Sequence, residues 1–374
     1  MRIAIDGHNL EGQRTGVGRF VFNLLKYWAQ DRNNQFYVYF KKEIPKDLPQ
    51  VDNFRYKILG QDSNFLFNQW NLPQAAKKDG ADVIFCPAYQ APIFFSGKYV
   101  LVIHDIIYEA HPEWYNWNSF LEKLIFSYVF KKSAQKATKI IAPSRATKDE
   151  VIKFYGISEN RIVVCYEAVD TAFLRAKTED RQIELIKRKY GIVKKYILTV
   201  GSLFTRRHPG DLLRAFELFW RRHRDYQLVI VGEDYTAPPQ HLDKAARNLN
   251  AKFGDKLVAR IPFADDQDLV ALYGAADIFV YLSDYEGFGL PPLEAMSRGV
   301  PVVTSNKSSL KETSGSAAYL IEDNASLQEI KTAFERIIQD ENLRNKLIKN
   351  GRDQALKFSW EKCAGEVLNN ILKI

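Results

Sequence analysis

The sequence predicts an α/β fold with two open parallel sheets, each covered by helices on both faces. Three observations carry this reading. Short apolar runs alternate with amphipathic helical patterns over almost the whole length, the alternation breaks once between Asp170 and Lys195, and it resumes with a new strand at Tyr196. A chain of 374 residues is long for one core and comfortable for two. A hydrophobic content of 46% with 13% aromatics is enough to fill them, and low-complexity runs are absent.

Taken in order, Arg2–Asp6, Phe36–Phe40, Asp82–Cys86, Tyr99–Ile103, Lys139–Ala142 and Arg161–Cys165 read as strands. Helical patterns lie between several of them, at Val17–Ala29, Phe65–Lys78, Phe120–Ala137 and Arg145–Tyr155. After the break, strands are expected at Tyr196–Val200, Gln227–Val231, Lys256–Arg260, Ile278–Tyr281 and Pro301–Thr304. The break itself reads as loop from Ala172 to Asp180, then a charged helix Arg181–Tyr190 stopped by Gly191. The expected organisation is a Rossmann-like domain over 1–172, a linker over 173–195 and a second Rossmann-like domain over 196–355. A last helix over 356–374 is capped by Ser359. Sheets of this kind bind ligands at the carboxyl ends of their strands, so a cleft faced by both is the expected site.

The net charge of +8 admits anionic small substrates, an anionic membrane surface or nucleic acid. No helix-turn-helix, RNA-binding module or zinc finger is visible, which argues against nucleic acid. No apolar run approaches the length of a membrane span, and Met1 leads directly into a strand with no signal-peptide pattern. Cys86, Cys165 and Cys363 are far apart and odd in number, as free thiols in a reducing compartment are. A cytoplasmic protein is expected. The segment Phe120–Lys139 mixes aromatics with lysines at helical spacing. It reads either as an interfacial helix in peripheral contact with an anionic membrane, or as a core helix with a basic outer face.

The most informative stretch is Glu286-Gly-Phe-Gly-Leu-Pro-Pro-Leu-Glu294. Two prolines suit a first helical turn, and Gly287 and Gly289 let backbone approach a ligand. Free amides at the helix start, around Phe288, Gly289 and Leu290, can receive anionic or polyhydroxyl groups. Two carboxylates at separate points suit a ligand with two sets of hydroxyls, such as a nucleotide sugar. The E-x7-E spacing and the following Arg298–Ser305 resemble the family-four retaining glycosyltransferases of GT-B fold.

The resemblance covers nearly the whole chain and implies roles for further residues. Thr15-Gly-Val-Gly-Arg19 is similar to the family's glycine loop, so Gly16 and Gly18 are donor-diphosphate candidates; alone, the stretch is only a strand-to-helix turn. Gly201-Ser-Leu-Phe-Thr-Arg206-Arg207-His resembles the loop that supplies positive charge to the diphosphate. It departs from the usual pattern at Arg207, where Lys is commoner, and at His208. His104 and Asp105 follow a strand as the family's His-Asp pair does, and Ser144 resembles a cleft-lining serine while also suiting a helix cap. Pro262 stands where Gly is common near the donor base, which leaves base selectivity open.

Asp266-Gln-Asp268 matches a metal-binding string, but Asp265 or Asp266 is better placed to cap a helix, and no metal is expected. The implied activity is retaining transfer of a hexose, with mannose the candidate, from a nucleotide-diphosphate sugar to a surface or lipid-linked glycan. Glu286 would hold the sugar and Glu294 the ribose; His104, Glu286, Arg206 and Arg207 would serve catalysis, and the domain over 1–172 would receive the acceptor. A sugar-nucleotide epimerase or phosphorylase of the same fold, or a non-catalytic nucleotide-sugar-binding protein, stays open as an alternative.

Overall fold

All strand pairings among the described residues are parallel. The computed structural model describes residues 1–14, 16–115, 117, 119–175 and 179–374. Thr15, which opens the first glycine motif, and residues 176–178 of the expected linker lie outside them. Contacts divide the chain into two units, Met1–Glu167 with Ser359–Ile374, and Ala168–Phe358.

The first unit carries β1 (Arg2–Asp6), β2 (Gln35–Phe40), β3 (Phe54–Ile58), β4 (Val83–Cys86), β5 (Tyr99–Val102), β6 (Lys139–Ala142) and β7 (Ile162–Val164) in the order β3-β2-β1-β4-β5-β6-β7. β4 and β5 are buried at every position, the pattern of a sheet covered on both faces. The helix Gly16–Trp28 packs against the C-terminal helix Trp360–Leu372, and the Trp28 indole donates to the Ala364 carbonyl at 2.9 Å. Trp28 also stacks on Phe36, their ring centres 5.5 Å apart.

The second unit carries β8 (Lys195–Val200), β9 (Tyr226–Val231), β10 (Val258–Ile261), β11 (Ile278–Tyr281), β12 (Val302–Ser305) and β13 (Ala318–Ile321), in the order β10-β9-β8-β11-β12-β13. Its core centres on Phe219, fully buried against Phe216, Tyr226 and Phe334. The helix Asp180–Tyr190 packs within this unit against the helix Asp266–Gly274.

Several elements differ from the sequence reading. β3 is absent from it because Phe-Arg-Tyr-Lys-Ile carries two cations, a composition that suits an edge strand but hides the apolar pattern. β13 escaped it too, being four residues with half-exposed Tyr319 and Leu320. The helix expected over Phe65–Lys78 is interrupted by a π-helical turn, Phe67–Asn71. Pro73 lacks the N–H that would bond to Gln69 four residues back, so the helical ladder cannot run through unbroken. The expected loop after Asp170 begins with a helical turn, Thr171–Arg175.

The helix Phe120–Lys136 begins at Ser119, whose hydroxyl accepts from the Glu122 amide. It buries Val129, Phe130 and Ala134, yet its outer face at the N-terminal end is apolar and exposed rather than basic. Among the described residues no helix is long and apolar enough to cross a membrane.

Phe219→Ala should lower the stability of the second unit by about 3–5 kcal/mol, because a fully buried ring leaves a cavity that its rigid neighbours cannot fill. A shifted midpoint in urea denaturation followed by circular dichroism would report it.

Candidate active site

In the second unit the strand order reverses between β8 and β11. Chain leaving the ends of these two strands diverges there, the place where open α/β sheets ordinarily bind ligands. The loop after β8 carries Arg206 and Arg207; the loop after β11 carries Glu286. At this point Arg207 and Glu286 meet as a two-pronged ion pair, with Nε to Oε1 at 2.7 Å and Nη2 to Oε2 at 2.9 Å. Their side chains are 16% and 11% exposed, so the pair is largely desolvated but still reaches solvent.

The geometry around the pair is over-determined. Arg207 Nη1 donates to the Ser202 carbonyl at 2.7 Å, and the guanidinium lies over the Tyr281 ring. Glu286 Oε1 also accepts from the Ser283 hydroxyl at 2.9 Å and the Tyr281 hydroxyl at 3.1 Å. Burial opposes the Arg207 charge, but Glu286 outweighs it and holds its pKa above the ordinary value. Burial likewise works against the carboxylate, and Arg207 overrides it, so the Glu286 pKa stays below its usual range. Among the described residues Oε2 accepts from Arg207 alone, leaving lone-pair capacity for a ligand hydroxyl, and Arg207 has N–H groups to spare. Arg206 lies over the Phe204 ring at 4.3 Å, with Nε toward the Tyr285 carbonyl.

A second cluster fixes the loop from behind. Asp284 Oδ1 accepts from Lys307 Nζ at 2.7 Å and Asn324 Nδ2 at 3.0 Å, while Oδ2 meets His208 Nε2 at 2.7 Å. His208 Nδ1 faces Asp211 at 2.9 Å, so the imidazole bridges two carboxylates. The Asp284 amide donates to the Arg206 carbonyl at 3.0 Å, tying the cluster to the cationic loop. Burial lowers the His208 pKa, but hydrogen bonds and charge from Asp284 and Asp211 more than compensate and raise it.

Gly287, Phe288 and Gly289 run into the helix Leu290–Ser297, with Pro291 and Pro292 in its first turn. Gly289 has φ +93°, and a Cβ there would stand 2.5 Å from Leu310 Cδ2, so glycine is required twice over. The Phe288 carbonyl accepts from Ser309 and Thr313, which turns the N–H of the same peptide group, that of Gly289, the other way. Glu294 lies in the second helical turn and accepts from the Tyr273 hydroxyl at 2.8 Å. Pro262 is exposed in the loop after β10. Asp265 caps the helix Asp266–Gly274, and Asp268 pairs with Lys189 Nζ at 2.5 Å and with the Tyr190 hydroxyl. Of the metal-like string, Asp268 is thus engaged in pairing, and the cap is made by its neighbour Asp265.

In the first unit the candidates also gather at strand ends. Gly18 is buried, and a Cβ there would fall 2.4 Å from the Asn9 carbonyl oxygen; Gly16 begins the helix and is open to solvent. His104 follows β5. Its Nδ1 meets Glu167 at 3.0 Å and its Nε2 donates to the Pro87 carbonyl at 2.9 Å, so both ring nitrogens are engaged. Burial disfavours its charge, but Glu167 and that carbonyl prevail, and its pKa rises. Asp105 accepts from the Tyr89 hydroxyl and the Ile107 amide. Ser144 is fully buried and caps the helix Arg145–Tyr155 by accepting from the Thr147 amide at 3.0 Å.

Sequence reasoning missed Tyr281 and Ser283, which fasten Glu286, Glu167, which fastens His104, and Asp284, which is tied to the Arg206 backbone and is itself held by Lys307 and Asn324. Tyr281-Leu-Ser-Asp284 carried a usable signal, polar residues at the end of a buried strand. Lys307, Asn324 and Glu167 carried none, because their partners are remote in sequence.

His208 gives a pH dependence whose sign follows from its raised pKa. The bridge is complete below about pH 6.5, the unfolded value, and is lost as pH rises through the higher folded value. Stability should therefore fall over that interval in the native protein, and the slope should flatten in His208→Gln. Thermal melts across pH 6–9 would measure it, with Asp211 and Asp284 as the facing charges and Lys307 paired to Asp284 behind them.

Comparison with known proteins bears on both units. The family model "Glycosyltransferase Family 4" matches residues 14–173, and "Glycosyl transferases group 1" matches 182–354. The O-antigen chain mannosyltransferase B of Escherichia coli is 29% identical, with 99% of each chain covered. The serotype-specific mannosyltransferase WbdA of the same organism is 30% identical over 71% of this chain, which spans about a third (32%) of its length. Among solved structures, Anabaena HepE with UDP and glucose superposes with TM-score 0.76 at 17% identity over 100% of both chains. Sucrose-phosphate synthase of Thermosynechococcus elongatus gives 0.75 at 18%, covering 100% of this chain and 99% of that one. The two parallel-sheet units are those of the GT-B fold, and the chain belongs to the family-four glycosyltransferases.

Proposed function

We propose that this glycosyltransferase moves mannose, with retention of configuration, from a nucleoside-diphosphate donor to a hydroxyl of a growing surface glycan carried on a lipid at the cytoplasmic face of the membrane. The mannose and glycan assignment draws on the O-antigen chain mannosyltransferase that matches this chain end to end. Epimerisation and phosphorolysis have no comparable support.

The observation that carries the reading is the Arg207–Glu286 pair at the strand-order reversal. Cleavage of the anomeric C–O bond leaves negative charge on the diphosphate. Arg206 and the spare N–H groups of Arg207 would stabilise that charge as it develops, together with the amides of Gly287–Leu290 and the loop of Gly16 and Gly18. Because Arg207 is already clamped, little reorganisation accompanies the reaction. Glu286 Oε2 would hold a sugar hydroxyl, and Glu294 the ribose hydroxyls. The acceptor oxygen would attack the face the diphosphate leaves, its proton passing to a phosphate oxygen. His104, doubly hydrogen-bonded and favouring its charged form, would act on the sugar through its field. Asp105 and Ser144 would shape its surroundings, and Pro262 would border the base.

Arg207→Lys removes the planar fork and should weaken nucleoside-diphosphate binding about tenfold by calorimetry. Glu286→Gln keeps an oxygen for Arg207 while losing the charge, and should lower kcat about a hundredfold. Breaking this pair can also cost about 3–5 kcal/mol of stability, so melting curves must accompany the kinetics. Full transfer activity in Glu286→Gln would refute the sugar-binding role. Transfer should also survive chelation, since Asp268 is held by Lys189 and Tyr190; a loss restored by Mn²⁺ would reverse that view.

A further inference from the structure

A surface helix ordinarily turns one apolar stripe inward and a polar face outward. The helix Phe120–Lys136 does not. Its inner face buries Val129, Phe130 and Ala134, while Phe120 (75% exposed), Leu121 (65%), Leu124, Ile125 and Tyr128 face solvent. Positions 121, 124, 125 and 128 follow helical spacing and form one stripe. The stripe continues onto a second element that is distant in sequence. Phe65 shares a cavity of about 370 Å³ with Ile125, Phe126 and Val129. Phe65 contacts Trp70, and Trp70 contacts Phe94, which is 67% exposed. Lys136 reaches across to the Ile93 carbonyl and joins the two parts.

The cavity is also lined by Asn64 and Gln90, and this largely apolar surface is bordered by cations. The helix carries Lys123, Lys131, Lys132 and Lys136 against one acid, Glu122, and Lys132 lies over the Tyr128 ring at 5.8 Å. Exposed apolar patches of this kind mark interaction surfaces. Two copies of a chain of net charge +8, meeting through lysine-bordered faces, would repel one another. A surface that is apolar at its centre and basic at its edge complements a bilayer with anionic headgroups.

We propose that Phe65, Trp70, Phe94 and the outer stripe of Phe120–Lys136 form one membrane-inserting surface, with Lys123, Lys131 and Lys132 binding anionic headgroups. The apolar side chains enter the acyl boundary, and the cavity between the two elements opens toward the lipid. The surface stands on exposure and charge alone; only the notion that it brings the enzyme to a lipid-borne acceptor rests on the proposed function.

The test is sedimentation of the full-length protein with phosphatidylcholine vesicles, with and without phosphatidylglycerol. Binding should require the anionic lipid and weaken with salt. Leu121→Ser with Leu124→Ser, and separately Trp70→Ser with Phe94→Ser, should each reduce partitioning about tenfold or more. Lys131→Gln with Lys132→Gln should remove most of the dependence on anionic lipid. All these positions are on the surface, so unchanged melting curves are expected. The native cysteines are buried, so Leu124→Cys can be labelled selectively with a polarity-sensitive fluorophore, which should shift to the blue on anionic vesicles.

Unchanged vesicle binding in both apolar variants would overturn the proposal, as would an unshifted label. So would a dimer in solution that the same substitutions dissolve, which would assign the face to a second copy. Nucleotide-sugar binding should be untouched by every one of these changes. Lost vesicle binding with retained transfer to a soluble acceptor, as predicted for the apolar variants, keeps both readings, whereas vesicle binding without any donor turnover would sink only the proposed function.

Discussion

The buried contact between Arg207 and Glu286 is the constraint on which the geometry of the second unit's loops depends. Each residue sits on a loop leaving a different strand, and the strands flank the point where the sheet order reverses. A desolvated charge is costly without a partner, and each supplies the other's. Their mutual attraction pins the cationic loop to the glycine loop. Tyr281, Ser283 and the Ser202 carbonyl then remove the remaining freedom. An ion pair of this kind contributes less as net stability than as fixed geometry.

The supporting cluster shows how that geometry is held without occupying the front of the site. Asp284 collects a lysine, an amide and an imidazole on two oxygens, and its own amide bonds to the Arg206 backbone. His208 adopts a left-handed conformation, φ +50°, at the start of the helix Pro209–Trp220. A β-carbon residue is uncommon there, and the two carboxylates that grip its ring offset the strain. The His208 ring thus becomes part of the loop's architecture.

The first unit distributes its polarity differently. At the carboxyl ends of its strands, His104, Asp105 and Ser144 are enclosed in hydrogen bonds. The helix Phe120–Lys136 and the segment holding Phe65 and Trp70 instead leave large apolar groups in water. Such exposure is unfavourable for an isolated domain and becomes favourable against an apolar phase. One unit therefore buries a charged pair at its strand ends, and the other leaves an apolar face exposed.

The amino-acid order alone determined the local elements and the motifs. Buried parallel strands are continuous apolar runs, amphipathic helices repeat at 3.6 residues, and the Glu286–Glu294 stretch announces its helix start through glycine and proline. These properties depend on neighbours within a few positions, so they are legible in one dimension. β3 was hidden because an edge strand tolerates Arg55 and Lys57, and the π turn before Pro73 because periodicity cannot register a single missing N–H. Glu286 and Arg207 were each visible as candidates, but their pairing was not, since 79 positions separate them and only the ladder order brings β8 beside β11. The same holds for Asp284 with Lys307 and Asn324, and for Trp70 with Phe94. Which side of Phe120–Lys136 faces the core was likewise a tertiary decision. A helix with apolar residues on more than one side has no preferred face until a sheet and its neighbours choose one.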